Sequence, residues 1–261
     1  MKRKLLCGLL TAALLIQPSF AARRVQVQVD GDLLPVRSYV EHGTTYVPLR
    51  TLLDAFGGWD VKWDPVRRSA VASSDDDSTL TADPTANTIS IDGTVYSGRV
   101  TVESGRTYVP LRLVVEALGG TAVWDAYLDG AAVTSPGADY DAESLYWLSR
   151  IISAESQGEP LEGQVAVGNV VMNRMASKEF PNTLPGVIFD KQNGVQFEPV
   201  ANGTVFHPPA ALSVTAAKQV LDGKVILADA LYFYAPALSQ GVWINANRTY
   251  FTTIGCHRFY L

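Results

Sequence analysis

One carboxylate in this 261-residue chain stands in a register that acid–base chemistry can use. Leu145, Leu148, Ile151, Ile152 and Glu155 recur at helical spacing, so Glu155 shares the apolar stripe of a helix that Gly158, Glu159 and Pro160 then break. A carboxyl group on a buried face, where the chain opens into a loop, is disfavoured in its charged form. Its pKa rises toward neutrality, which suits a general acid. Ser156 follows it directly. Glu159 sits in the loop and Glu162 in the first turn beyond it, and both read as solvent or capping residues. Asp190 and Glu198 are candidates for a second carboxyl; both read as structural or rim positions, with a role for Glu198 left open.

Other chemistries are poorly supplied. His207 and His257 are the histidines of the C-terminal half, without a His-x-x-x-His pair or a cysteine-rich spacing, so a zinc site lacks ligands. Cys256 has no evident partner that would make it a nucleophile, and His257 reads as a structural histidine. No metal and no cofactor are expected.

The elements that must hold Glu155 are legible around it. Asp141 suits the N-cap of its helix and Glu143 the first turn. A second helix is predicted over 161–176, with Val165, Gly168, Val171, Met172 and Met175 on its apolar face. Gly168 in mid-helix costs about 1 kcal/mol relative to Ala, so close packing against a neighbour is expected there. A third helix is predicted over 211–221. Beyond it the chain is aromatic and strand-like through 230–236, 242–244, 250–254 and 257–260.

The N-terminal half repeats itself. Val27-Gln-Val-Asp-Gly31, Thr45-Tyr-Val-Pro-Leu-Arg50, Ala55-Phe-Gly-Gly58 and Trp63-Asp64 return as Ile89-Ser-Ile-Asp-Gly93, Thr107-Tyr-Val-Pro-Leu-Arg112, Ala117-Leu-Gly-Gly120 and Trp124-Asp125. The step is 62 residues for Gly31, Arg50 and Gly58, slipping by one before the tryptophans. Each unit, about 25–74 and 87–135, reads as strand, strand, Pro-initiated helix and strand. Arg50 and Arg112 are expected to pair within their own units with Asp64 and Asp125, and Trp63 and Trp124 to fill cores. Asp75 to Asp77 read as a solvated loop and residues 136–141 as a linker.

Composition sets the limits. A hydrophobic fraction of 47% with 18% charged residues fits a globular chain of two modest domains. The net charge is −5, and the cations Lys2, Arg3, Lys4, Arg23 and Arg24 crowd the N-terminus, leaving the remainder more acidic. That argues against a nucleic-acid partner. Met-Lys-Arg-Lys, an apolar run from Leu5 to Ile16 and small residues at Ser19 and Ala21 have the parts of a cleavable signal peptide over residues 1–22, with no stable membrane span after cleavage. Cys7 would leave with it; Cys256, left alone, can form no internal disulfide.

Two resemblances follow from these residues. The Thr-Tyr-Val-Pro-Leu-Arg, Leu-Gly-Gly and Trp-Asp pattern over 25–135 resembles the copper amine oxidase N-terminal-like domain. It implies no copper, because His42 is its one histidine and it has no cysteine. The run from Ala154 to Phe189, then Val195 to Gly203, Ala230 to Pro236 and Ile254 to Phe259, is similar to the SleB/CwlJ group of cell-wall hydrolases over nearly all of 142–260. Glu155-Ser156 also looks like the catalytic Glu-Ser step of lysozyme-like lytic transglycosylases. The resemblance implies an α+β chain: a duplicated β-β-α-β accessory domain, then a lysozyme-like, mainly helical catalytic domain over 142–261 with a C-terminal β portion. It further implies a secreted peptidoglycan glycosidase, in the cell wall or spore cortex, cleaving between N-acetylmuramic acid and N-acetylglucosamine with a 1,6-anhydromuramic product. Glu155 is the implied catalytic residue, and Ser156, Gln196, Phe197, Tyr232, Tyr234 and Trp243 are the implied contacts to the glycan strand. The accessory domain is expected to hold the wall. The alternatives are an inactive wall-binding or germination scaffold and a peptidoglycan amidase.

Overall fold

The computed structural model describes residues 22–126, 128–192 and 194–261. The leader expected over 1–22 lies, but for Ala22, outside them. Among the described residues no helix is long and apolar enough to cross a membrane.

The N-terminal part runs β1 (Arg23–Val29), β2 (Asp32–Leu33), β3 (Ser38–Glu41), β4 (Thr44–Pro48), α1 (Leu49–Phe56), β5 (Trp59–Asp64) and β6 (Ser69–Ser74). It continues through β7 (Thr79–Asp83), β8 (Thr88–Ile91), β9 (Thr94–Ser97), β10 (Thr101–Glu103), β11 (Arg106–Pro110), α2 (Leu111–Ala117), β12 (Thr121–Asp125) and β13 (Gly130–Thr134). One sheet has the order β10-β11-β4-β3-β1-β13-β12 with β2 added to β1, and a second has the order β5-β6-β7-β8-β9. Alternation decides what is buried: Val25, Val27 and Val29 of β1 face inward, with Gln26 and Gln28 between them. Leu49, Leu52 and Leu53 of α1, with Leu111, Val114 and Val115 of α2, close one continuous core.

The 62-residue step reappears as geometry. β4 and β11 pair antiparallel with Val47 opposite Val109, Tyr46 opposite Pro110 and Pro48 opposite Tyr108. The equivalent Val47 and Val109 thus face one another, and the pairs on either side of them are exchanged.

Three expectations for this region change, and one strand is added. Between Asp-Gly and Val-Pro-Leu-Arg each unit carries a hairpin, β3–β4 and β10–β11, where one strand was expected; residues with positive φ, His42-Gly43 and Ser104-Gly105, make the turns. β7, between the units, pairs with β6 and β8. Arg50 donates to Val61 O at 2.6 Å, and Arg112 lies 3.9 Å from Glu116, so neither pairs with the Trp-Asp carboxylate. Asp64 instead accepts from Val66 N and Arg67 N in its own turn. Trp63 and Trp124 share the inward parity of Val61 and Ala122 and lie opposite the buried Ala70 and Ala131, yet near the ends of their strands they are 46% and 40% exposed.

The C-terminal part runs α3 (Ala142–Ser156), α4 (Leu161–Ala176), α5 (Leu184–Ile188), α6 (Glu198–Asn202), a 3-10 turn (Thr204–Phe206), α7 (Ala211–Leu221), β14 (Tyr232–Tyr234), α8 (Val242–Asn247), β15 (Tyr250–Ile254) and β16 (His257–Tyr260). Asp141 caps α3, accepting from Ser144 N at 2.7 Å. α3, α4 and α7 pack together, and Gly168 is what lets them meet: a Cβ there would lie 2.8 Å from Ile152 of α3 and 3.0 Å from Val220 of α7. The strands form an antiparallel sheet of order β14-β16-β15. Residues 242–244, expected in a strand, begin helix α8. Only Ile244 of that helix is buried, and Asn247 donates to Trp243 O at 2.8 Å, a local bond that competes with strand pairing.

A buried contact joins the two parts. Asp125, at the end of β12, pairs with Arg150 of α3, with side-chain exposures of 0% and 2%. Leu128 N also bonds to Asp125 at 3.0 Å, and the Arg150 guanidinium stacks 3.6 Å from the Tyr146 ring centre. Ala142 N donates to Thr121 Oγ1 at 2.6 Å beside it.

Candidate active site

Glu155 occupies the last turn of α3, one residue before the helix ends. Ile151 and Ile152 anchor that turn in the helical core, and the carboxyl group beside them is half-buried. Its pKa is pushed up to about 7, chiefly by burial and then by the negative charge of Glu198, with the Arg174 cation pulling the other way. At neutral pH the group is therefore divided between acid and carboxylate, the condition under which one side chain can both give and take a proton.

Arg174 comes from α4, three residues after the buried Val171. Its guanidinium lies 4.9 Å from the Phe180 ring centre, 5.0 Å from Phe197 and 5.4 Å from Tyr232. Nε donates to Leu231 O at 2.7 Å, while the buried Nη1 has no hydrogen-bond partner among the described residues. Burial lowers its pKa to about 10, opposed by Tyr232, Glu155 and Asp190, so it remains a cation at neutrality.

From Tyr232 the wall continues outward. Arg248 Nη2 donates to the Tyr232 hydroxyl at 2.5 Å, and its guanidinium lies 4.2 Å over the Tyr232 ring and 5.5 Å from the Trp243 ring. Trp243 is 58% exposed with its ring 6.1 Å from Tyr232. Glu155, Arg174, Tyr232, Arg248 and Trp243 thus form a chain of adjoining charged and aromatic groups beginning at the Glu155 carboxyl. Such a wall suits a ligand with apolar C–H faces and polar edges.

The other expected contacts fall elsewhere. Ser156 is buried and donates to Ile152 O at 2.7 Å, so it finishes the helix and does not face a ligand. Phe197 is 2% exposed and backs Arg174 from the core. Both are corrected from ligand contacts to supports, because their neighbours leave them no free surface. Gln196 is half-buried and donates to Gly194 O at 3.2 Å. Tyr234 accepts from Asn245 Nδ2 at 3.0 Å and lies near Tyr260, a network separate from the Glu155–Trp243 chain.

Glu159 also departs from expectation. Far from being solvated, it is buried, accepts from Cys256 N at 2.8 Å and lies 3.6 Å from His257 Nδ1. A side chain at Gly255, whose φ is +58°, would collide with this carboxylate. The α3–α4 loop is thereby tied to the β15–β16 turn. Burial holds the His257 imidazole below its ordinary pKa, with Glu159 opposing. Among the described residues no group of three or more His, Cys, Asp or Glu side chains could hold a metal ion.

Arg174 and Arg248 were missed by sequence reasoning. Arg174 left one signal, a cation at the helical spacing of the buried Val167, Val170 and Val171. Arg248 left none, because only the fold brings it to Tyr232.

Residues 158–260 match the cell wall hydrolase family model, and residues 28–135 match that of the copper amine oxidase N-terminal domain. The C-terminal part of the chain thus carries a cell wall hydrolase domain. The spore cortex-lytic enzyme of Bacillus cereus is 33% identical over 141 residues, 54% of this chain and 52% of that protein. The spore cortex-lytic enzyme of Bacillus subtilis (strain 168) is 33% identical over 131 residues, 50% of this chain and 41% of that protein. The chain spans about half the length, or less, of these relatives. Among solved structures, the catalytic domain of the germination-specific lytic transglycosylase SleB from Bacillus anthracis is 34% identical, covering 47% of this chain and 97% of that one, with a TM-score of 0.43. Arg174, Glu198, Tyr232, Trp243 and Arg248 of this cell wall hydrolase domain lie inside the matched segment, and Glu155 stands three residues ahead of it.

Proposed function

We propose that this protein is an exported lytic transglycosylase of peptidoglycan, acting in spore cortex or cell wall, with Glu155 as its catalytic acid and base. The observation that carries the proposal is the half-buried Glu155 carboxyl, with a pKa of about 7, at the head of the Arg174–Tyr232–Arg248–Trp243 wall. Protonated Glu155 gives its proton to the oxygen between N-acetylmuramic acid and N-acetylglucosamine, and that bond breaks. The muramoyl 6-hydroxyl then closes on the anomeric carbon and returns a proton to the Glu155 carboxylate. The product is a 1,6-anhydromuramic end, and no water is consumed. A single carboxyl suffices because no water must be activated, whereas ordinary glycoside hydrolysis generally uses two.

On this reading the helices α3, α4 and α7 form a lysozyme-like scaffold over 142–261, and the N-terminal domain over 25–135 is two copies of one unit, each with a hairpin ahead of its helix, that hold the enzyme on the wall. The spore cortex-lytic relatives and the family match support the substrate class.

Glu155→Gln keeps the shape and removes the proton. It should lower cleavage of purified sacculi on the order of a thousandfold or more, read by mass spectrometry of released muropeptides. Anhydromuramic ends from the parent support the mechanism, and reducing ends would transfer the chemistry to hydrolysis assisted by Glu198. Undiminished release by the variant would remove Glu155 from the mechanism. New amino termini would mark an amidase.

A further inference from the structure

We propose that the N-terminal domain carries two equivalent carbohydrate sites, one at Trp63 and one at Trp124, that bind successive stretches of one carboxylate-bearing glycan strand. The inference rests on the wall-holding reading above and gives it a location.

Two cavities of about 600 and 780 Å³ open on this domain. Five lining residues of each stand at equivalent positions of the repeat. The first has Pro48, Leu49, Arg50, Trp63 and Ala70, and the second Pro110, Leu111, Arg112, Trp124 and Ala131. One side of each wall comes from the opposite unit: Gly105 to Thr107 closes the first, and Gly43 to Thr45 closes the second. Each cavity is therefore composite. Both follow from the pairing of β4 with β11 about Val47 and Val109, which lays the hairpin of one unit beside the helix of the other.

Their chemistry is that of a saccharide site. The tryptophans are 46% and 40% exposed, large apolar surfaces left in solvent at matching positions. Arg50 is held at the cavity wall by its bond to Val61 O, two residues before Trp63 on the same strand. A flat aromatic face beside a fixed guanidinium and a small alanine accepts a pyranose ring and an anionic substituent on it, in a volume usual for ligand sites. Lys62 and Arg106 add charge to the first cavity, while Glu116 faces Arg112 in the second, so the first is the more selective for carboxylate. Two like sites, one on β5 and one on β12 of the same domain, favour a ligand that repeats, since the second contact is made at high effective concentration.

The test uses the full chain carrying Glu155→Gln, so that the wall is not digested, and measures pelleting with purified sacculi. Trp63→Ala and Trp124→Ala should each weaken binding roughly tenfold and the pair roughly a hundredfold. Arg50→Gln and Arg112→Gln form a second series that leaves the aromatic faces in place, and amidation of the sacculus carboxylates should weaken the first site more. In the chain with Glu155 restored, cleavage of short soluble glycan fragments should be unchanged by any of these. If the parent pellets and the double tryptophan and double arginine variants pellet equally well, the cavities are not the site, though the wall-holding reading stands. A parent that does not pellet overturns both.

Discussion

Helix α3 carries two charged side chains into the interior, Arg150 at mid-length and Glu155 in its last turn, and the two are handled in opposite ways. Arg150 faces the N-terminal domain and meets Asp125, with both side chains almost wholly enclosed and Tyr146 stacked on the guanidinium. Glu155, five residues on, is half-buried with no ion-pair partner among the described residues, and like charge from Glu198 adds to its burden. A buried charge that is matched becomes a joint between domains. A buried charge left unmatched shifts its pKa and becomes available for proton transfer.

Breaking the matched pair should give the largest effect on stability. Asp125→Ala strands Arg150 in the interface, and removing one partner of a buried pair costs about 3–5 kcal/mol. Thermal or urea unfolding reads it directly. Asp125→Leu combined with Arg150→Met should recover most of that loss, since neither charge is then left alone. A cost below about 1 kcal/mol for Asp125→Ala would place the pair with exposed surface bridges and dissolve the contrast.

Removing the unmatched charge should do the reverse. The folded pKa of Glu155, about 7, lies above its ordinary value of 4.5, so the folded protein holds an extra proton between those values. The stability present below pH 4.5 is lost as pH rises toward 7, by up to about 3 kcal/mol. Glu155→Gln should therefore unfold at a higher temperature than the parent at pH 8 and at the same temperature at pH 4. Equal melting at both would mean that Glu155 carries no burial penalty.

How much of this contrast the sequence disclosed depended on distance along the chain. Glu155 was legible because its environment is local: the stripe through Leu148, Ile151 and Ile152 and the loop at Gly158 lie within a few residues. Gly168 was legible for the same reason, a helix-weakening residue in an apolar face that implies a close neighbour. Asp125 was misassigned to Arg112 because the repeat directs attention to equivalent residues, while its partner, Arg150, lies 25 residues on in another domain. Glu159 was read as solvated because what buries it, the turn at Gly255 and Cys256, arrives 97 residues later. Trp63 and Trp124 were placed in cores on residue type alone; their parity, shared with Val61 and Ala122, is inward, but their places near the strand ends, which residue type does not disclose, leave them 46% and 40% exposed.

The smallest expected effect isolates the electrostatic part of the Glu155 shift. Glu198, exposed in the first turn of α6, raises the Glu155 pKa through space, second only to burial. Glu198→Gln removes that charge and leaves the burial, so the pKa of Glu155 should fall and the alkaline limb of kcat/KM should move to lower pH with it. Because Glu198 stands in solvent, about 1 M salt shortens the screening distance to roughly 3 Å and should move the parent's limb the same way. The variant's limb should respond less to salt, having lost the interaction being screened. A limb that stays in place in the variant assigns the whole shift to burial. Collapse of activity across all pH values, with the limb unmoved, would instead make Glu198 the second carboxyl of a hydrolase, because a merely electrostatic neighbour alters where Glu155 titrates and leaves the protonated enzyme competent.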